Sequence, residues 1–440
     1  MGPLMELRIG LLGLGTVGSG VVRLLQTHAK LLEQRSGVVL RLVRIATKRI
    51  PGWDRGFDLG TTELTDDVTR VVGASDIDVC IELIGGIHPA RDFITTALQH
   101  GQHVVTANKA LIAEHGNELF ALAQQQNIEL AFEAAVAGAI PIIRVMKEGL
   151  VANQIEQLYG ILNGTCNYIL TEMREKGLPF DQVLAEAQRL GYAEADPTLD
   201  IDGIDAAHKL AILAAIAFGT PVAFHDVTVE GIRHVSDLDI YWAREMGYRI
   251  KLLGIAKQSA AGLDVRVQPV MINAHSTLAA VDGVFNAVFV QSDFAGSSMY
   301  YGRGAGEKPT ASAVVSDLVD LARNLRSGAR QRVASLSTQP QHLRPRHCCP
   351  VEDRTGEYYL RLLVRDRPGV LAEIATILKN GQISLKIVHQ HQRAPMEAVP
   401  LIIVTHETSE QQIQAGLKAL SELESVLEPP RLIRIEHLGA

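Results

Sequence analysis

The chain has 440 residues, 47% hydrophobic and 21% charged, and its 42 basic and 49 acidic side chains leave a net charge of −7. That length points to two to four domains of roughly 100–200 residues each, and the mild acidic excess argues against a general nucleic-acid or anionic-membrane role. No stretch approaches the roughly 18 uninterrupted apolar residues of a membrane span. The four cysteines, Cys80, Cys166, Cys348 and Cys349, include no Cys-x-x-Cys pair, so a reducing cytoplasm is expected. Residues 1–8 lead directly into a glycine-rich turn and not into an apolar run with a cleavage site, so the protein is expected to be soluble and unsecreted.

Residues 7–12 read as a short buried strand. Gly13-Leu14-Gly15-Thr16-Val17-Gly18 follows, and then Val21, Val22, Leu24, Leu25 and Leu32 form a helical apolar face. Strand, glycine turn and helix together are the context of a dinucleotide fingerprint. Gly13 allows the tight turn, Gly15 lets backbone approach a pyrophosphate, and Gly18 allows close packing, while the helix N-terminus around Thr16 and Val17 offers N–H groups to the anion. The same motif outside that context is weak.

Strands and helices then alternate: a strand at 40–47, a strand at 79–84, a helix at 89–99, a strand at 103–106, a helix at 111–126 and a strand at 128–132. This order predicts an α/β fold with a parallel, doubly wound sheet of Rossmann type, its ligand along the carboxyl ends of the strands. The second strand ends in Thr47-Lys48-Arg49, where NAD-binding chains place an acidic residue. Two cations there suit a 2′-phosphate, so NADP is expected, with NAD as the alternative. After Thr106, Ala107-Asn108-Lys109 puts a lysine at a strand end facing the nicotinamide; a solvated loop lysine is the plainer reading.

From residue 140 the pattern changes. A strand at 155–162 leads into Asn163-Gly164-Thr165-Cys166-Asn167-Tyr168, a polar turn opening a helix, and a further helix lies around 180–190. Next comes Gly191-Tyr192-Ala193-Glu194-Ala195-Asp196-Pro197, and the sixteen residues from Glu194 to Lys209 hold four Asp, one Glu and one Lys. Asp205 and Lys209 are four apart, so on one helix they share a face and the ammonium sits beside the carboxylate, positioned for proton transfer. An ordinary acidic cap with a solvated ion pair is the competing reading. Runs at 248–256, 263–271 and 286–290 suggest a second, mixed sheet in a substrate domain inserted into the first.

Gly302, Gly304 and Gly306 lie in a segment read either as a hinge or as a loop whose backbone approaches the cofactor. A helix from there to 325 is expected to pack back on the nucleotide domain. Residues 327–357 read as a linker. The order βαββαβ after it is that of a ferredoxin-like module, which shows a fold and no function. The expected domains are therefore a nucleotide-binding domain at 1–139, completed by the helix at 305–326, an α+β substrate and dimerisation domain at 140–304, the linker, and a terminal module at 358–440.

Taken together these motifs resemble homoserine dehydrogenase over essentially the whole chain, and Asp366-Arg367-Pro368-Gly369-Val370-Leu371-Ala372 resembles the start of an ACT domain, an amino-acid-sensing module. Cys348-Cys349 and Lys386, which stands where an acidic residue is frequent, depart from the family pattern. The resemblance implies NAD(P)-dependent, reversible reduction of L-aspartate 4-semialdehyde to L-homoserine. It also implies Lys209 as proton donor oriented by Asp205, and Lys109 at the junction of cofactor and substrate. Glu194 would receive the substrate's ammonium or hydroxyl, supported by Asp200, with Gly164 and Thr165 in the substrate site. Thr106, Gly304 and Gly306 would lie at the cofactor. A sodium ion at Glu133, Val136, Gly138 and Ile140, threonine as effector, and a homodimer or homotetramer are further implications. The competing classes are a sensor that binds NADP and an amino acid without turnover, and an NADP oxidoreductase for another small semialdehyde.

Overall fold

The computed structural model describes residues 5–48, 58–259, 261–390 and 398–438. Two compact units emerge: one comprises residues 1–164, 204–227 and 284–345, the other 165–203, 228–283 and 346–440.

In the first unit, β1 (Met5–Leu12), β2 (Val38–Ala46), β3 (Glu63–Thr65), β4 (Val79–Glu82), β5 (His103–Thr106) and β6 (Leu130–Ala131) form a sheet in the order β3-β2-β1-β4-β5-β6. Every pairing in it is parallel, so the predicted doubly wound sheet is present, with its switch of direction between β1 and β4. The strands are short and apolar because helices cover both faces. Gly13 ends β1 at φ +94°, and a Cβ on Gly18 would lie within 2.2 Å of the Gly13 carbonyl. Only glycine allows the helix Thr16–Thr27 to start so close to the strand.

The helix Glu307–Arg326 returns to this sheet as expected: Ala311, Val314, Leu318 and Leu321 share a buried core with Leu7, Ile9, Leu11 and Val21. It crosses Thr16–Thr27 at Gly20, where a Cβ would meet Glu307 and Ala311 at 2.8–3.1 Å. Two further elements of this unit are a three-stranded antiparallel group, Ile155–Ile161, Phe285–Ser292 and Gly296–Arg303, and the helix Ile204–Phe218, which packs on the helix Lys109–Gln125. The strand Gly296–Arg303 was not foreseen, because its exposure alternates and its run Gly-Ser-Ser-Met-Tyr-Tyr-Gly carries little apolar signal.

The second unit contains the expected βαββαβ order: Thr355–Arg365, Val370–Asn380, Leu385–His389, Ala398–Thr405, Glu410–Ser421 and Arg431–Glu436. Leu360, Leu362, Ile374, Leu378, Ile403, Ile413 and Leu420 form its core. This module is not a bead on a string. Its last strand, Arg431–Glu436, pairs in parallel with Gly262–Asn273, which in turn forms a long antiparallel hairpin with Tyr248–Ser259. Buried ion pairs follow the same seam: Arg266 bonds Asp264 and Glu436, Arg361 reaches Asp239 at 2.7 Å, and Arg434 reaches Glu410 at 2.6 Å, with the more exposed Glu230 on its other side at 2.7 Å. The stretch 327–357, read as a linker, carries backbone pairing of its own. Its end forms a bridge in which Leu263 donates to the His347 carbonyl and Cys349 donates to Leu263. Backbone pairing leaves no trace in side-chain periodicity, which is why the sequence concealed it.

Candidate active site

Lys109, Asp205 and Lys209 converge in the first unit. Asn108 caps the helix Lys109–Gln125, its side chain accepting from the Leu111 N–H, so Lys109 is the first helical residue, and not the loop residue its sequence position also allowed. Asp205 and Lys209 stack on the first turns of Ile204–Phe218, one helical turn apart as their spacing requires. The Asp205 carboxylate is bracketed: Oδ1 lies 3.0 Å from Lys109 Nζ and Oδ2 lies 2.7 Å from Lys209 Nζ. Asn163 Nδ2 donates to Oδ2 at 2.9 Å, and Lys209 also donates to the Leu162 carbonyl at 2.8 Å.

Burial opposes charge on Asp205, yet Lys209 and Lys109 and the hydrogen bonds from Lys209 and Asn163 hold it well below the usual carboxylate range. It is ionised at any working pH. The two ammonium groups differ in access: the Lys109 side chain is 39% exposed and that of Lys209 only 9%. One lysine is open to an incoming molecule and the other is shielded from bulk water, where its proton is best directed. Next to Lys209 in the chain, His208 Nε2 faces Glu114 at 3.7 Å and its ring packs on Phe224, tying the two lysine-bearing helices together.

Around the strand ends, buried Glu82 accepts the Thr106 hydroxyl at 2.7 Å and the N–H groups of Ile84 and Gly85. Thr106 also accepts from the Asn108 N–H. Glu82 thus fixes the turns after β4 and β5; sequence reasoning missed it, since an acidic residue ending an apolar strand looks like an edge charge. Gly15 caps the helix Thr16–Thr27, with Thr16 exposed and Val17 half-buried beside it. Lys48 is exposed after β2, and Arg49 lies outside the described residues. Gly304 meets Asn286 so closely that no side chain fits there, and Gly306 starts the helix Glu307–Arg326 at φ +117°.

Gly164 also borders on backbone, a Cβ there lying 2.7 Å from the Val284 carbonyl. In the second unit the Thr165 hydroxyl donates to the Tyr192 carbonyl at 2.7 Å and reaches Asp200 Oδ2 at 3.2 Å. Glu194 is exposed nearby in sequence, its carbonyl accepting from Gln188.

The Glu133 carboxylate accepts from the Ile143 and Arg144 N–H groups at 2.9 and 2.8 Å, capping the helix that begins there. Each side-chain oxygen thus already accepts one backbone hydrogen bond. Ala137 and Gly138 are consecutive left-handed residues, at φ +57° and +47°. Among the described residues no group of three His, Cys, Asp or Glu side chains is arranged to hold a metal ion.

The chain resembles known proteins over nearly its whole length. Residues 13–133 match the homoserine dehydrogenase NAD-binding domain, residues 141–319 match homoserine dehydrogenase, and residues 358–425 match the ACT domain. A homoserine dehydrogenase of Pseudomonas aeruginosa is 48% identical over 98% of this chain and 99% of its own length. The chain belongs to the homoserine dehydrogenase family. One from Bacillus subtilis is 41% identical over 98% of the chain and 99% of its own length. The crystal structure of a homoserine dehydrogenase from Thiobacillus denitrificans superimposes with a TM-score of 0.93 at 48% identity, covering 99% of both chains. A hyperthermophilic archaeal homoserine dehydrogenase in complex with NADPH has a TM-score of 0.61 at 26% identity, covering 72% of this chain and 98% of that one. The protein is an NAD(P)-dependent oxidoreductase that interconverts L-aspartate 4-semialdehyde and L-homoserine in amino-acid biosynthesis.

The buried carboxylates beside the site make a pH prediction. Burial and then the neighbouring Asp317 push Glu133 up to about 7, and burial pushes Asp317 up to about 6. Between the ordinary value near 4.5 and 7, folded Glu133 holds more proton than the unfolded chain, so stability falls as pH rises through that window. Buried His103 and His208, held below their ordinary value, act in the opposite sense over part of this window, so the readout is the difference: the Tm of Glu133→Gln relative to the wild type should rise as pH goes from 5 to 7.5. Parallel curves for the two proteins would refute this assignment.

Proposed function

We propose that Lys209 is the proton donor to the substrate oxygen, that Asp205 orients both lysines, and that Lys109 faces the junction of cofactor and substrate. The observation that carries this reading is the single buried carboxylate shared by two ammonium groups, one shielded and one accessible. When bound, the nicotinamide cofactor supplies hydride to the aldehyde carbon. The developing alkoxide then needs a proton, and Lys209 can deliver one while Asp205 keeps the ammonium aimed. Lys109 adds positive charge where the oxyanion forms. The proton moves without a metal in this scheme.

Substrate would be held by the Gly164-Thr165 turn, with Glu194 receiving its ammonium or hydroxyl and Asp200 bracing Thr165. The cofactor would lie over Gly13, Gly15, Thr16, Val17 and Gly18, with Thr106 and Lys109 at its nicotinamide end and Gly304 and Gly306 closing over it. NADP is the preferred form in this reading, with Lys48 and Arg49 meeting the 2′-phosphate; an exposed Lys48 at the end of β2 supports it. A sodium ion would be held at Glu133, Val136, Gly138 and Ile140, mostly through backbone carbonyls, and would brace the turn. The four-part division at 1–139, 140–304, 327–357 and 358–440, a cytoplasmic homodimer or homotetramer, and L-threonine sensing by the ACT module complete the proposal. Gly369, left-handed at the start of the helix Val370–Asn380, sets up a helix N-terminus suited to an amino acid's carboxylate.

One spectrophotometric assay with aspartate semialdehyde tests these roles. Lys209→Met should lower kcat by about 10²–10⁴-fold while NADPH binding persists. Lys48→Ala should raise KM for NADPH much more than for NADH, and added L-threonine should slow the wild type. Near-normal kcat in Lys209→Met would remove the proton-donor role; equal KM effects would reduce Lys48 to surface charge.

A further inference from the structure

The second unit buries a lysine that the reaction scheme does not use. Lys251 stands on the strand Tyr248–Ser259 with its side chain 1% exposed. An ammonium so placed is costly unless every proton is used. Lys251 Nζ donates to Asn167 Oδ1 at 3.0 Å, to the Val281 carbonyl at 2.5 Å and to Asp282 Oδ1 at 3.0 Å, which accounts for all three protons.

Those bonds converge on one face of the helix Gly164–Lys176. Asn167, Thr171 and Arg174 recur at helical spacing, and each is tied to residues 281–283. Asn167 Nδ2 donates to the Val281 and Gly283 carbonyls at 3.1 and 2.9 Å. The Gly283 N–H donates to Thr171 Oγ1 at 3.1 Å, and Arg174 forks onto Asp282 at 3.0 and 2.8 Å. Arg249 closes the group on Asp282 at 3.3 Å. A buried network with its bonds filled specifies one arrangement of the elements it joins. Here the element is the helix whose first turn carries Gly164 and Thr165.

We propose that Lys251 is a positioning residue for substrate binding: its ammonium sets the rotation and register of the helix Gly164–Lys176, and with them the placement of Gly164 and Thr165 against the aldehyde substrate. This rests on the reading of those two residues as substrate contacts. Lys251 itself touches neither Lys109, Asp205 nor Lys209 among its hydrogen bonds, so its effect falls on substrate affinity. The device is also sensitive to alkali. Burial pushes Lys251 down to about 8 against the pull of Asp282, with Arg174 and Arg249 adding to the lowering. Loss of that proton removes one of the donors that hold Asn167, Val281 and Asp282.

The test uses the full-length enzyme. Lys251→Met should raise KM for aspartate semialdehyde by about tenfold or more, with kcat changed far less and NADPH binding unchanged; a residue needed only for stability would lower Tm without this split. Asp282→Asn removes the negative charge that favours protonated Lys251, so the alkaline limb of kcat/KM for the aldehyde should move to lower pH. A folded Lys251→Met enzyme with wild-type KM, or an unmoved alkaline limb in Asp282→Asn, overturns the proposal. Should Lys251→Met fail to fold, the Asp282→Asn profile decides alone. Thr165→Ala separates the two levels of the argument: an unchanged aldehyde KM there overturns the substrate-contact reading and this proposal with it. A raised KM there beside unaffected Lys251 and Asp282 variants overturns this proposal alone.

Discussion

A carboxylate taken out of water survives as an anion only if cations and donors replace the lost hydration. Asp205 meets that condition with two lysines and an amide, and much of the first unit is arranged to make the meeting possible. Lys109 must begin a helix directly after β5, Lys209 must lie one turn along a second helix, and the two helices must pack. Remove the carboxylate and the two ammonium groups are left close together with nothing between them. The same constraint explains the His208–Glu114 pair and the Asn117 amide, which accepts from the Val222 N–H and donates to its carbonyl: both hold the helix pair in register beyond the ion pairs.

The parts of this arrangement that depend on local pattern were legible in the sequence. Gly13, Gly15 and Gly18 at the junction of a strand and a helix allow few other readings; Gly13 and Gly18 each answer a steric demand visible in the structure, the Gly13 carbonyl against Gly18 above all, while nothing crowds Gly15. Asp205 and Lys209 declared themselves by a spacing of four on an apolar helix. The βαββαβ order of the C-terminal module followed from alternating runs and the Asp366-Arg367-Pro368-Gly369 turn.

What stayed hidden depends on long-range partners. Glu82 and Lys251 look like surface charges in a linear reading; only the fold brings Thr106 to one and Asn167 to the other. That the Glu133 carboxylate caps a helix ten residues on was likewise invisible in the sequence. A cut near Gly356 would sever the C-terminal module from strands it shares a sheet with. The parallel pairing of Arg431–Glu436 with Gly262–Asn273, and the buried Arg266–Glu436 contact, mean that such a cut exposes a sheet edge and strands a buried guanidinium. Any signal generated in that module enters the hairpin 248–273 through continuous backbone hydrogen bonds, and Lys251 stands on that hairpin.

The central claim is that Asp205 works through Lys209 and not independently of it, and a double-mutant cycle on kcat tests it most directly. Asp205→Asn, Lys209→Met and the double variant would be compared with the wild type under saturating NADPH and aldehyde. Groups that act as one unit lose their effect together, so the double variant should be little slower than the worse of the two single variants. Losses that multiply, giving a double variant slower by the product of the two single effects, would contradict the account.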